Sequence, residues 1–248
     1  MKIQLLSDLH IEFWPKPHNL SLFQTDADVC VLAGDINVGR ENTLKTLKEF
    51  ASMYPHVIYI RGNHEEYGSS FNAFRDTAAF KDKLPANVHF LDPGTLHLDG
   101  VTFIGAPLWT DFGNDPLAEH MSAYGINDFV RVKDATTQKY AEECNSQKAF
   151  IKQAYDAYAG KKVIITHFLP AMECISPRFL SGGPINKYFA NNMGDYISTL
   201  SDTIWMFGHT HDSIDFHIGD TRMLCNPYGY HNREVNPNFN KNAVYDIH

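Results

Sequence analysis

Residues 60–66 read Ile-Arg-Gly-Asn-His-Glu-Glu and directly follow a β-branched and aromatic run, Val-Ile-Tyr-Ile, at residues 57–60. The run predicts a buried strand, so Asn63 and His64 are expected in the loop that leaves its carboxyl end. Gly62 permits a turn or a close approach of the backbone that a side chain would block. Asn63 offers a neutral amide oxygen, and His64 offers a group that titrates near neutral pH. An exposed histidine in a turn would explain this stretch equally well if it stood alone.

Four other predicted strands end on the same kind of residue. These residues are Asp8 and His10 after residues 2–6, Asp35 after 28–34, His167 after 162–166, and His209 and His211 after 203–207. The one-residue gap between Asp8 and His10 lets both side chains leave an extended backbone on the same side. Asp35 could instead cap a following helix, but helical spacing begins only near residues 42–43. The recurrence therefore indicates one site assembled from several strand ends.

The composition bounds the class of protein. With 248 residues, of which 44% are hydrophobic, the chain can bury a sizeable core, and we expect a single domain over residues 1–248. The 29 acidic residues against 21 Lys and Arg give a formal net charge of −8, which argues against non-specific binding of nucleic acid over a broad surface. The chain has no signal-peptide pattern and no run of about 18 apolar residues, so we expect a soluble, cytoplasmic protein without membrane contact. Four scattered cysteines without a C-x-x-C pair are expected to be reduced thiols.

Strand and helix patterns alternate along the chain, and antiparallel strands are added to them. Asp99 and Gly100 separate two apolar runs, as in a two-residue hairpin. Helices are expected from near residues 42–43, after Ser69 or Ser70, over 134–159 and around 187–200. Parallel strands joined by helices, together with hairpins, predict an α/β fold with mixed sheets.

Two segments without clear periodicity, at about residues 107–133 and 168–186, are too long to be simple connecting loops. Such excursions commonly carry binding residues, so both are expected at the rim of the site. For the first segment, a surface cap held together by its own aromatic residues is an equally good explanation.

The side chains at the strand ends form a set of metal ligands without thiolates. Its members are Asp8, His10, Asp35, Asn63, His167, His209 and His211. Oxygen and nitrogen donors of this kind suit Mn²⁺, iron as Fe²⁺ or Fe³⁺, or Zn²⁺ rather than Ca²⁺. Seven ligands are too many for one such ion, so their division between two ions with one shared carboxylate predicts a binuclear centre.

The order of five short motifs resembles that of the calcineurin-like metallophosphoesterases. The motifs are Asp8-x-His10, Gly34-Asp35, Gly62-Asn63-His64-Glu65, His167 and Gly208-His209-Thr210-His211. The resemblance extends, through residues 107–112 and 208–230, to a bacterial and phage branch known only as metallophosphoesterases. It implies a four-layer α/β/β/α sandwich that hydrolyses phosphoesters with two metal ions.

The same resemblance implies how the ligands divide between the two ions. One ion would be held by Asp8, His10, Asp35 and His211, and the other by Asp35, Asn63, His167 and His209. A hydroxide between the ions would be the nucleophile, and His64 would protonate the leaving oxygen as general acid. Asp35 and Asn63 would thus serve catalysis as well as metal binding, whereas Glu65 is expected to orient its neighbours.

The chain departs from the family pattern in two places. Residues 36–40, Ile-Asn-Val-Gly-Arg, replace the Asp-x-Val-Asp-Arg-Gly continuation of the protein Ser/Thr phosphatases. A phosphoprotein substrate is therefore disfavoured, and His64 is expected to lack the carboxylate partner that it has in that family. Tyr228 stands where the bacterial and phage branch commonly has Arg.

The expected function is that of a dimetal phosphodiesterase or phosphatase acting on a small phosphoester. Two alternatives stay open, namely a metal-dependent nuclease acting on DNA or RNA and a catalytically silent scaffold of the same fold. The acidic charge and the lack of an obvious DNA-capping domain count against the nuclease. The complete ligand set counts against the scaffold. The sequence leaves open the oligomeric state, the native metal and the choice between monoester and diester.

Substrate contacts are assigned by residue type and position. The candidates for a phosphate clamp are Arg61, Arg131, Arg178 and Arg233, each of which could equally be solvated or structural. Arg178 is preferred because it lies in the second rim segment. The candidates for stacking on a base or an aromatic leaving group are Trp109, Phe112 and Tyr124.

Overall fold

The computed structural model describes residues 1–75 and 78–247. Short apolar runs rich in β-branched residues form its strands, as their composition predicts. In chain order the strands are β1 (Lys2–Leu6), β2 (Val29–Ala33), β3 (His56–Ile60), β4 (Val88–Phe90), β5 (Gly94–Leu98), β6 (Val101–Gly105), β7 (Lys162–Ile165), β8 (Thr203–Phe207), β9 (Ile214–Ile218), β10 (Thr221–Cys225), β11 (Gly229–Tyr230), β12 (Glu234–Val235) and β13 (Val244–Asp246).

The helices are mostly short, apart from two that cover the sheets. They are α1 (Arg40–Ala51), α2 (Ala78–Lys81), α3 (Pro116–Gly125), α4 (Asp128–Arg131), α5 (Thr137–Ala157), α6 (Asn186–Phe189) and α7 (Gly194–Ile197). The helix predicted over 134–159 is α5, and the side chain of Thr136 caps it by accepting from the N–H of Lys139. Its buried side chains recur every three or four residues between Tyr140 and Ala154, as an amphipathic helix requires. No helix within the described ranges is long and apolar enough to cross a membrane.

Two sheets contain most of the strands. The first has the order β13-β1-β2-β3-β4, in which β1 to β4 are parallel and β13 is antiparallel to β1. The second has the order β5-β6-β7-β8-β10-β9, in which β6, β7, β8 and β10 are parallel while β5 and β9 pair antiparallel with their neighbours. Asp99 and Gly100 connect β5 to β6 as predicted. The prediction of mixed sheets is therefore confirmed.

The two sheets pack face to face on a layer of buried aliphatic side chains. Val31 and Ile58 of the first sheet share this core with Val163 and Met206 of the second. The opposite face of the first sheet is covered by α1, and the opposite face of the second by α5. Burying both faces of each sheet produces the predicted four-layer α/β/β/α sandwich.

The helix predicted around residues 187–200 is replaced by two four-residue helices, α6 and α7. They are separated by an extended Ala190. Tertiary hydrogen bonds cause the break, because the side-chain amide of Asn191 donates to the backbone oxygens of Trp109 and Leu169. Leu169 also forms a β-bridge with Ala190. Long-range backbone pairing has thus overridden a local helical preference.

The helix predicted after Ser69 or Ser70 is also different. Residues 71–75 form turns, and α2 begins only at Ala78. Residues 76–77, over which the prediction also runs, lie outside the described residues. The buried Phe74 and Phe80 nevertheless pack together with ring centroids 4.5 Å apart, so the apolar spacing serves the core without a continuous helix.

All four cysteines are buried free thiols, as predicted. Cys30 lies in β2 and Cys225 in β10. Burial raises the pKa of Cys144 and of Cys174 to about 12. These thiols therefore stay protonated and act as small apolar groups in the core.

Candidate metal centre

Five parallel strands deliver the predicted ligands and His64 to one edge of the sandwich. β1 is followed by Asp8 and His10, β2 by Asp35, β3 by Asn63 and His64, β7 by His167, and β8 by His209 and His211. Residues far apart in sequence meet there, since the backbone N–H of His209 donates to the carboxylate of Asp8, 201 positions away. Both sheets therefore contribute to one cluster.

Several of these residues hold strained backbone conformations. Asp8, His10, Asp35 and His209 have φ angles of 50°, 45°, 53° and 66°. This left-handed region is costly for residues with a side chain and persists where the surroundings impose it. Here the N–H of His10 donates to the backbone oxygen of Asp35 at 3.0 Å, and the N–H of His209 donates to the Asp8 carboxylate at 3.0 Å. These bonds hold the loops in the conformation that presents the side chains.

Close packing at Gly62 and Gly34 explains why neither position carries a side chain. A Cβ on Gly62 would lie 2.1 Å from Oδ1 of Asp35, and a Cβ on Gly34 would lie 2.3 Å from Nδ1 of His167. Both contacts are impossible for a real side chain, so any substitution would displace a member of the cluster. The close backbone approach that the sequence predicts at Gly62 is therefore confirmed.

Asp35 occupies the middle of the cluster. Its Oδ2 lies 3.8 Å from Nε2 of His10 and 4.0 Å from Nε2 of His64. Its Oδ1 lies 3.5 Å from Nε2 of His167 and accepts from the backbone N–H of His64 at 2.9 Å. One carboxylate thus faces the histidines on both sides of the cluster.

The ligand atoms fall into two groups that meet at Asp35. One group is Asp8, His10 and His211, and the other is Asp35, His167 and His209; a third set, His10, Asp35 and His64, lies between them, and within each set the ligand atoms lie within 4.8 Å of one another. Asn63 joins the second group, because its Oδ1 lies 3.1 Å from Nε2 of His167. The structure therefore brings together all seven side chains that the sequence predicts as ligands.

The donor atoms fit divalent cations. Nε2 of His10 and Nε2 of His209 are buried and have no hydrogen-bond partner among the described residues, an arrangement that is costly unless another group binds them. Nδ1 of His167 donates to the backbone oxygen of Ala33 at 2.9 Å, which leaves its Nε2 to face the cluster. Carboxylate, amide and imidazole donors of this kind suit Mn²⁺, iron or Zn²⁺.

In this cluster, protons and cations compete for the same ligand atoms. Burial by itself raises the pKa of Asp35, but His167 and His64 outweigh it and hold that pKa well below its usual range. Burial lowers the pKa of His167, but Asp35 and other neighbours raise it to about 10. Burial holds the pKa of His209 well below its usual value. The carboxylates thus draw a proton onto His167, and a cation bound there must displace it.

His64 has a carboxylate partner that the sequence did not predict. Its Nδ1–H donates to Oε1 of Glu12 at 3.3 Å, and the same oxygen lies 3.3 Å from Nδ1 of His10. Burial lowers the pKa of His64, but Asp35 and Glu12 together outweigh it and raise that pKa to about 9. The partner comes from the 3₁₀ helix at Ile11–Phe13 instead of the loop after Asp35. The alternation Asp8-x-His10-x-Glu12 was the only local signal of it.

Glu65 supports the cluster through the backbone, as predicted. Its carboxylate accepts the N–H groups of Asp35 at 3.1 Å, Ile36 at 2.9 Å and Gly62 at 2.8 Å. Three such bonds tie the loop after β2 to the loop after β3. Glu65 therefore positions Asp35 without facing the ligand groups itself.

Asp128, which the sequence reasoning missed, holds Asn63 in place. Its Oδ1 accepts from the side-chain amide of Asn63 at 2.8 Å and from the hydroxyl of Tyr67 at 2.9 Å. Its Oδ2 accepts from the hydroxyls of Tyr188 at 2.5 Å and Tyr140 at 3.2 Å. Because the amide nitrogen of Asn63 faces Asp128, its oxygen must face His167. No local motif marks Asp128, although it lies in the segment at residues 107–133.

A cavity of about 480 Å³ opens onto the cluster. Asp35, Asn63, His64 and His209 lie in its wall, together with Arg178. The guanidinium of Arg178 is already paired, since its Nε donates to Asp212 at 2.6 Å and its second terminal nitrogen donates to Glu234 at 3.2 Å. Arg178 therefore reaches the predicted location, but two carboxylates compete with any phosphate for it.

The predicted stacking residues do not face this cavity. Trp109 and Phe112 are 0% and 2% exposed and belong to the core around α5. Tyr124 is 82% exposed but is not part of the cavity wall. The assignment of Trp109 and Phe112 to substrate binding therefore requires correction, because side chains sealed in the core cannot meet a ligand.

Arg61 is a structural arginine. It is fully buried, pairs with Glu66 and Asp92, and donates to Asn72 at 2.6 Å. Its guanidinium also lies 5.3 Å from the ring centroid of Trp109. These contacts favour a structural role for Arg61 over a role in binding phosphate.

Comparisons with known proteins agree with the motifs. Residues 1–213 match the family model of the calcineurin-like phosphoesterases. The chain is 25% identical, over 278 aligned residues, to an uncharacterised protein of Acanthamoeba polyphaga mimivirus, covering 99% of this chain and 96% of that protein. The solved structure of phosphopantetheinyl hydrolase from Mycobacterium tuberculosis has a similar fold, with a TM-score of 0.69 and 17% identity over 92% of this chain and 89% of that one. The family match covers every strand that carries a predicted ligand, and the chain belongs to the calcineurin-like phosphoesterase family.

Proposed function

We propose that this protein hydrolyses phosphoester bonds in small phosphoesters, using two divalent ions and His64 as the proton donor. One observation supports this most strongly: two groups of carboxylate and imidazole donors meet at the single carboxylate of Asp35. A shared carboxylate between two ligand groups suits a binuclear centre. Membership of the phosphoesterase family supports phosphoester hydrolysis as the reaction class.

The ligands divide between the ions as their groups suggest. Asp8, His10, Asp35 and His211 would hold one ion, and Asp35, Asn63, His167 and His209 the other. When bound, such ions lower the pKa of a water molecule and stabilise negative charge on the phosphoryl oxygens. The donor set supports Mn²⁺, iron or Zn²⁺, and availability selects among them.

His64 would protonate the leaving oxygen in this proposal. Its Nδ1–H is held by Glu12, so its Nε2–H points toward Asp35 and the cavity. The hydroxyl of Tyr230 lies 3.2 Å from the same Nε2. As the bond between phosphorus and the leaving oxygen breaks, that oxygen takes the proton from Nε2. Glu12 and Asp35 favour the protonated form that this step requires.

The shape and charge of the surroundings support a small substrate over extended nucleic acid. The cluster opens into a cavity of about 480 Å³, which is in the size range of small-molecule sites. A net charge of −8 disfavours long polyanions. The free, buried cysteines further support a cytoplasmic location, which subcellular fractionation would test.

Metal content and substrate preference, measured together, test the proposal. We expect about two Mn²⁺, iron or Zn²⁺ ions per chain and hydrolysis that chelator abolishes. The substrates are p-nitrophenyl phosphate, bis-p-nitrophenyl phosphate, nucleotides and long DNA. Preference for long DNA would favour a nuclease, and a loaded protein without any hydrolysis would favour the silent scaffold.

A further inference from the structure

Arg131 and Arg233 differ from other arginines of this chain. Arg61, Arg178 and Arg222 each pair with at least one carboxylate. Within residues 1–75 and 78–247, neither Arg131 nor Arg233 has an ion-pair partner, and both side chains are exposed. In an acidic chain, two arginines without carboxylate partners at one place form a local site of positive charge.

Both arginines line a second cavity, of about 500 Å³, that adjoins the first. Its wall consists of Glu12, Phe13, Val38, His64, Tyr67, Asn127, Arg131, Tyr230 and Arg233. The first cavity shares four of these residues, namely His64, Tyr67, Asn127 and Tyr230. The two cavities therefore meet at His64, with the ligand groups on one side and the two arginines on the other.

Aromatic rings connect Arg131 to His64. The guanidinium of Arg131 lies 5.7 Å from the ring centroid of Tyr67. The ring of Tyr67 in turn stacks on His64 with centroids 4.2 Å apart. A guanidinium held over an aromatic face loses little further freedom when it binds an anion.

A second set of rings connects Arg233 to the same histidine. The guanidinium of Arg233 lies 4.8 Å from the ring centroid of Phe13. Phe13 packs edge-on against Tyr230, with centroids 5.4 Å apart, and the hydroxyl of Tyr230 contacts Nε2 of His64 at 3.2 Å. Both arginines are thus held at the side of the site to which His64 would deliver its proton.

Among the described residues, the wall of the second cavity contains one carboxylate, that of Glu12. Its Oε1 lies 3.3 Å from both His10 and His64, so these imidazoles, and not the arginines, are its partners. The guanidinium groups of Arg131 and Arg233 therefore keep their donors available. Guanidinium groups bind phosphate with two parallel hydrogen bonds. A phosphate therefore suits this cavity better than an uncharged apolar group does.

We propose that Arg131 and Arg233 form a subsite for a phosphate carried by the leaving group, so that the preferred substrate is a small bisphosphorylated compound. The inference rests on the proposed function, because it places the leaving group on the side of His64. A water oxygen bonds to the attacked phosphorus, and the bond from phosphorus to the alcohol oxygen breaks. That alcohol oxygen keeps the bonding pair and takes the proton from His64, while the proton lost by the attacking water passes to solvent, from which His64 regains a proton. The products are inorganic phosphate and an alcohol that retains its own phosphate.

Competition between matched ligands tests the subsite. Adenosine 3′,5′-bisphosphate and adenosine 3′-monophosphate differ by one phosphate, and each is measured as an inhibitor of p-nitrophenyl phosphate hydrolysis by the metal-loaded protein. We expect the bisphosphate to inhibit about 100-fold more tightly, since each of the two charge-assisted contacts contributes roughly a factor of ten. Arg131→Ala and Arg233→Ala should each reduce this preference about 10-fold, and the double variant should abolish it.

Arg222→Ala is the matched control, because Arg222 pairs with Asp215 on β9 and β10 and lines neither cavity. It should keep the full preference for the bisphosphate. Equal inhibition by both ligands, or no inhibition by either, would overturn the subsite. So would a preference that survives in the double variant. Failure of the loaded protein to hydrolyse p-nitrophenyl phosphate would instead overturn the proposed function.

Discussion

The strand ends and the segment at residues 107–133 serve the same site in different ways. The strand ends contribute short motifs in which the candidate ligands lie within a few positions of a strand, such as Asp8-x-His10 after β1. The segment contributes Asp128, which acts on Asn63 from 65 positions away. The same segment also contributes Arg131 to the second cavity.

The comparison shows that the type of ligand atom and the orientation of its side chain have different origins. Donor type and strand position follow from local sequence, because a strand end exposes the next few side chains in a defined direction. The side-chain rotamer of Asn63 depends instead on what its amide nitrogen meets, and that partner is Asp128. Substitutions in the two regions should therefore have effects that differ in kind as well as in size.

The largest effect is expected at the strand ends, for Asp35→Asn. Asp35 faces both ligand groups, so its loss should remove both ions and lower kcat by about 10⁴-fold or more, as when a cooperating catalytic unit is broken. His10→Ala should leave about one ion per chain. His217 lies on the edge strand β9, outside the ligand groups, so the control variant His217→Ala should keep two ions. Elemental analysis of the three variants measures this. Retention of both ions by Asp35→Asn would refute the shared ligand.

A smaller and more selective effect is expected for His64→Ala. General-acid help is worth about 10²–10⁴-fold when the leaving oxygen is a poor leaving group. The variant should therefore slow alkyl phosphate hydrolysis by that factor and nitrophenyl phosphate hydrolysis far less, with both ions retained. The measurement is kcat across leaving groups of graded pKa. An unchanged dependence on leaving-group pKa would reject His64 as the acid.

The rim segment should show a positioning effect in Asp128→Ala. Without the carboxylate, the amide of Asn63 is free to rotate, and metal affinity should fall about 10–100-fold, as for other groups that orient ligands. Tyr140→Phe removes one donor to the same carboxylate but leaves the bond to Asn63, so it should keep metal affinity. Titration with Mn²⁺ compares the two. Equal losses would mean that Asp128 only stabilises the fold.

The smallest effect is expected for Glu12→Gln and concerns pH. Glutamine keeps an oxygen that accepts from Nδ1 of His64 but lacks the charge that helps to raise its pKa. A general acid is active below its pKa, so losing Glu12 should move the alkaline fall of kcat to lower pH, with less than about a 10-fold loss at the optimum. Measured in a His64→Ala background, the same substitution should produce no further shift. A shift that persists there would assign the effect to another group.

Most of the fold and the ligand set could be predicted from sequence because both rest on local patterns. Apolar runs of four to six residues marked the strands around Leu5, Val31 and Ile58, and polar residues directly after them marked the site. The helix predicted around 187–200 was wrong, since Asn191 and Leu169 hold the chain near Ala190 in an extended conformation through contacts with distant backbone. The stacking role assigned to Trp109 was wrong for a related reason, because packing against α5 seals its ring in the core.

By itself, the sequence determined the α/β class, the order of the strand ends and the identity of the donor atoms there. These follow from hydrophobic periodicity and from side-chain chemistry, which depend on neighbouring residues only. The tertiary structure alone decided that Glu12 is the partner of His64 and that Asp128 orients Asn63. It also has Asp35 between the two ligand groups, as the family resemblance implies. It also decided that Arg131 and Arg233 share one cavity while Arg61 is buried. Such relations are distances between residues that only chain folding brings together, and no local pattern encodes them.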